Sequence, residues 1–139
     1  MPAMEMLHEV DPKQAILDKV KEVLPQVDVW GSDCLVAIYR RPQRTKSGLW
    51  ISDATADEDR WQGKVGLLLK MGSMAFVDEN GEKFRDIEEN QWVAIRPSDG
   101  WPISLNSMQT NISKDNTIEC RIVTDINIRC RVAHPDLVY

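Results

Sequence analysis

The stretch RPQRTKSGLWISDATADEDRWQGKV, residues 41–65, decides how this chain is read. Apolar, strand-like runs flank it at residues 34–39 and 64–71. The polar segment between them is far longer than the handful of residues that joins most elements in a compact domain. Leu49, Trp50 and Ile51 sit between Thr45-Lys46-Ser47-Gly48 and a polar, acidic run from Ser52 to Asp59. Three large apolar side chains on a segment too polar to bury itself have the chemistry of a docking device on a tether. The spacing also accommodates a short core strand through Leu49 and Ile51, and it leaves open whether Trp50 faces a partner or the interior.

Upstream, Asp11-Pro12-Lys13-Gln14 reads as a helix start: Asp11 as N-cap, Pro12 at the first helical position, Gln14 placed for a capping-box pairing. Ile16, Leu17, Val20, Val23 and Leu24 then recur at helical intervals on one face, and Pro25 ends the pattern. So short a helix is marginal alone, so its stripe must cover this subunit or a neighbour. From residue 27 the signal changes to strands. Val27 and Val29 alternate with Asp28 and Trp30, and residues 34–39, 64–71, 91–96, 101–105, 117–123 and 126–132 form further runs. Residues 74–77 and 82–84 flank Asp78-Glu79-Asn80-Gly81, where the Asn-Gly pair suits a tight hairpin turn. Short strands separated by turn residues predict a mainly β fold, a small antiparallel barrel or sandwich behind an N-terminal helix.

Composition narrows the function. The chain has 139 residues, 42% of them apolar, which suits one domain with one core. A net charge of -5 argues against a nucleic-acid binder, and no run approaches the roughly 18 apolar residues of a membrane span. Cys34, Cys120 and Cys130 lie in or beside apolar runs, without the spacing of a disulfide framework or a zinc site. His8 and His134 stand at opposite ends of the chain, and no nucleophile elbow, phosphate loop or dinucleotide fingerprint occurs. Glu79, Glu82, Asp86, Glu88 and Glu89 read as a solvated acidic surface. No catalytic residue, metal or cofactor is therefore expected, and the weight falls on binding and assembly.

In order and spacing these pieces resemble the GroES family of co-chaperonins. Thr45-Lys46-Ser47-Gly48 with Leu49-Trp50-Ile51 is similar to the family's mobile loop, and Gln62-Gly63-Lys64-Val65-Gly66 to the strand on which that loop lands. Residues 27–39 resemble the N-terminal strand pair, and residues 77–85, tipped by Asn80 and Gly81, the roof hairpin. Residues 87–95 resemble the segment and strand after it, and residues 120–132 the last strand pair. The resemblance covers residues 27–132. It implies an arm and helix at 1–26, an irregular β-barrel at 27–132 with a mobile loop at 41–62 and a hairpin at 76–85, and a tail at 133–139.

The resemblance further implies a ring of seven subunits, with strands carrying Val27 and Val29 pairing to a neighbour's Ile128 and Val132. Gly48, Leu49, Trp50 and Ile51 would bind a chaperonin. Trp50 in place of a small aliphatic residue, the added helix and a long segment at 101–117 depart from the family pattern and are similar to diverged bacteriophage members. Two functions are open at this point. One is a co-chaperonin that assists folding of a viral capsid protein in the host cytoplasm. The other is a virion component, such as a capsid decoration or head-tail protein, that grips phage capsid proteins with its loop, helix and tail. Partners in either case are copies of itself and other proteins, with neither nucleic acid nor membrane.

Overall fold

The computed structural model describes residues 11–39, 64–96, 99–106 and 117–138. Helix α1 (Pro12–Val20) leads through a 3-10 turn, Leu24–Gln26, to β1 (Asp33–Ile38). The strands β2 (Val65–Met71), β3 (Trp92–Ala94), β4 (Trp101–Asn106), β5 (Thr117–Thr124) and β6 (Cys130–Val132) follow. They form one antiparallel sheet in the order β4-β5-β1-β2-β3-β6.

The continuous apolar character of β1 and β2 has a direct cause: both faces of the sheet are covered. Leu35, Ala37 and Tyr39 point into one layer with Val65, Leu67, Leu69, Trp92, Leu105, Ile118 and Cys120. Cys34, Val36 and Ile38 point into the other with Leu68, Ala75, Phe76, Ile87, Val93, Ile95, Val123 and Ile128. A bulge shifts the register between β1 and β2. Leu35 pairs with Lys70 but Val36 pairs with Leu68, so Leu69 is the extra residue. Lys70 thereby reaches back to donate to the Val27 carbonyl.

Helix α1 lies against β5 and closes the first layer. Val20 and Val23 are buried, while Ile16, Leu17, Leu24, Val27 and Val29 pack at its margin. Each buried valine is worth about 1.5–3 kcal/mol, which holds a helix too short to persist alone. The tail joins the same layer: Val138 packs there, and the Tyr39 hydroxyl donates to Asp136 Oδ1 at 3.1 Å. Tyr39 also meets Trp92 edge to face at 5.7 Å. The second layer is closed by the turns after β2, through Ala75, Phe76 and Ile87.

Several expectations need correction. The sheet is not closed into a barrel: among the described residues β4 and β6 are edges and do not pair with each other. Residues 27–30 form no strand, pairing with no strand among the described residues, so residues 27–39 supply one strand, β1, rather than a strand pair. Residues 126–132 are not one strand. A 3-10 turn, Asp125–Asn127, precedes β6, and β6 pairs with β3 rather than with β5. Residues 74–77 and 82–84 share a single bridge, Val77 to Lys83. At its tip only Gly81 has a positive φ, +80°, and the Asp78 carboxylate accepts from the Asn80 and Glu82 amides. Asp11 caps α1 through its backbone carbonyl alone, and Gln14 donates to Asp18 instead of closing a capping box.

Gly66 pairs with Ile38 in the close contact of β2 on β1. A Cβ there would lie 2.3 Å from Val36 Cγ1 and 2.6 Å from the Ala37 carbonyl oxygen. The second obstacle is backbone of a central strand. Gly66→Ala is therefore expected to destabilise the fold by about 1–3 kcal/mol, read as a lower urea midpoint with an unchanged slope.

Candidate functional surface

The register places the two ends of the sheet in opposite roles. Ile38 pairs with Gly66, and the Tyr39 amide donates to the Val65 carbonyl at 3.0 Å. The connection spanning residues 40–63 therefore leaves and returns at one hydrogen-bonded pair. Asn106 pairs with Thr117, so residues 107–116 depart from the same end of the sheet. Gly48, Leu49, Trp50 and Ile51 lie outside the described residues.

At the opposite end three turns lock together. The Met74 amide donates to the Gly31 carbonyl at 2.9 Å, and the Asp125 amide to the Ser32 carbonyl at 3.0 Å. Gly72 presses so close that a Cβ would fall 2.2 Å from the Gly31 carbonyl oxygen. The buried Asp125 carboxylate is the keystone, accepting from the Phe76 amide at 2.8 Å and the Ile126 amide at 2.7 Å. Phe76 is fully buried at φ +60°, a backbone shape that L side chains rarely adopt. Its carbonyl accepts from Phe84, whose ring lies 6.0 Å from its own. Arg85 turns inward, over the Phe84 ring and onto the Ile128 carbonyl. Trp30, Met74, Phe84 and Ile126 remain exposed on these same turns, at 80%, 52%, 44% and 59%.

The remaining site residues fall in separate places. Ile16, Leu17, Val20, Val23 and Leu24 share their layer with Val27, Val29 and Val132. Ile128 is buried in the other layer. Val132 belongs to β6, whose outer edge is unpaired among the described residues. Asn80 and Gly81 are exposed at the hairpin tip. Sequence reasoning missed Asp125 and the exposed apolar residues around it. A lone aspartate after a strand reads as a polar break, and its partner Phe76 lies 49 positions away.

Chemically reactive groups are muted. Burial, with Asp125 and Asp33 nearby, pushes the Cys34 thiol up to about 12, and burial with Glu119 does the same to Cys120. Cys130 is exposed. In native protein iodoacetamide is expected to label Cys130 alone at pH 8, which mass spectrometry of intact protein reads as one adduct. The linkage follows: the folded thiols hold their protons above the ordinary value of 9.0, so stability is full below pH 9 and falls as pH rises towards 12. Among the described residues no three His, Cys, Asp or Glu side chains are gathered to hold a metal ion, and no helix is long and apolar enough to cross a membrane.

These features define a class: a mainly β protein whose described residues form one six-stranded antiparallel sheet and a single α-helix. No protein-family model matches the chain, and no curated protein is significantly similar to it.

Proposed function

We propose that this chain is a GroES-like co-chaperonin subunit, of the diverged bacteriophage kind, that docks on a chaperonin through the connection between β1 and β2. The observation that carries this reading is the clasp from Tyr39 to Val65 at the root of that connection. It holds together the two ends of the segment that bears Thr45-Lys46-Ser47-Gly48 and the apolar Leu49, Trp50 and Ile51. The apolar triplet fills a groove on the chaperonin, and copies in a ring engage together. Linked weak contacts raise avidity by about 10² to 10⁴ without any new interaction. The outer edge of β6, unpaired among the described residues, supports pairing with a neighbouring copy. Its client is a capsid protein folding in the host cytoplasm.

The alternative, a virion component, draws on a free N-terminal helix and tail. Packing of α1 and of Val138 on their own sheet favours the co-chaperonin reading instead. Negative-stain imaging of the protein mixed with a bacterial chaperonin and ATP tests the proposal. The expected image is a ring capping the chaperonin end. Bare chaperonin ends beside dispersed monomers count against it.

A further inference from the structure

We infer that the end of the sheet opposite the β1–β2 connection is a docking surface for a lysine- and arginine-rich amphipathic segment of another protein. The apolar half of the argument is the exposure of Trp30, Met74, Phe84 and Ile126 on turns that hydrogen bonds tie to one another. Scattered exposed apolar residues need no explanation, whereas several gathered on one loop cluster mark a contact site. The cluster is also preorganised. Asp125, the close approach of Gly72 and the Phe76 turn hold it before any partner arrives, so little ordering entropy opposes binding.

The electrostatic half identifies the occupant. Asp78, Glu79, Glu82, Asp86, Glu88 and Glu89 are all exposed on the adjoining hairpin and turn, and they outnumber the basic groups there: exposed Lys83, an inward-turned Arg85, and exposed Arg131, which donates to the Asp86 carbonyl at 3.2 Å. Asp28 and Asp33 add exposed carboxylates on either side of Trp30. A field of this sign repels phosphate backbones and anionic lipid, and it repels the same face of a second copy. It attracts a polypeptide that offers cations beside apolar side chains. The surface lies at the other end of β1 and β2 from Tyr39 and Val65, and the inference stands independently of the chaperonin reading.

Fluorescence anisotropy with a labelled 18-residue helical peptide of leucine and lysine at amphipathic spacing tests this. The 139-residue chain is expected to bind it, with affinity falling at least tenfold between 50 and 300 mM salt. Trp30→Ser with Met74→Ser is expected to weaken binding at least tenfold, and Ile126→Ser to weaken it several-fold. Leu137→Ser, at an exposed apolar residue of the tail, leaves it unchanged. Glu79→Gln with Glu82→Gln flattens the salt dependence. Equal binding of a leucine–glutamate peptide, equal binding of a lysine peptide without leucine, or indifference to the Trp30 and Met74 changes would each overturn the inference. So would flotation with phosphatidylcholine vesicles that is lost in the Trp30 variant, which would assign the surface to a membrane.

Discussion

Phe76→Ala is expected to cost about 3–5 kcal/mol of stability, the usual range for emptying a buried aromatic site. Phe76 is fully buried in the layer with Val36, Leu68, Val93 and Ile128, and its ring also supports Phe84. What sets this site apart is the backbone. At φ +60° a residue with a Cβ is strained by about 1–2 kcal/mol, and glycine is not. Phe76→Gly is therefore expected to be more stable than Phe76→Ala by about 1 kcal/mol. At an ordinary position glycine would be the weaker of the two. Urea unfolding of the pair reads the difference, and a glycine variant less stable than the alanine one would show that the turn carries no strain.

Trp50→Ser with Ile51→Ser is expected to abolish chaperonin binding while leaving the fold intact. Burial of each apolar side chain contributes about 1.5–3 kcal/mol, less the cost of ordering the segment, about 1–2 kcal/mol per residue fixed. On the proposed reading one docked segment would bind weakly and a ring of them strongly, so the change would be multiplied across copies. In an ATP-dependent pull-down the loss should exceed 100-fold. Retained binding would remove the triplet from the interface. A collapse of thermal stability in the same variant would place these side chains in the core, the other arrangement that their spacing allows.

The strands that could be read from the chain are those whose character is set by burial on the spot. Residues 34–39 and 64–71 read as strands because both faces of the sheet are covered there, giving unbroken apolar runs. The stripe from Ile16 to Leu24 likewise marked a helix, although α1 itself ends at Val20. What escaped depends on partners distant in sequence. Val27 and Val29 alternate as a strand would, but a strand exists only beside another, and these valines instead edge the layer under α1. Residues 126–132 looked like one strand because Ile126, Ile128 and Val132 share a period of two. The Asp125 carboxylate, recruited by Phe76, bends that segment into a 3-10 turn. The open sheet was equally hidden, since closure depends on whether two edges meet and not on the pattern within either. Of the candidate surfaces, the apolar triplet and the acidic surface at residues 79–89 were legible as chemistry, whereas the exposed apolar residues beside the latter were visible as one cluster only once Gly31, Met74 and Asp125 were seen to join.

Hydrogen–deuterium exchange over residues 48–52, in the presence and absence of a bacterial chaperonin and ATP, addresses the docking role most directly. Strong protection of Gly48 to Ser52 on adding both is the predicted result, since these amides become enclosed in the partner's groove. Unchanged exchange there, with the chaperonin present and hydrolysing ATP, would contradict it.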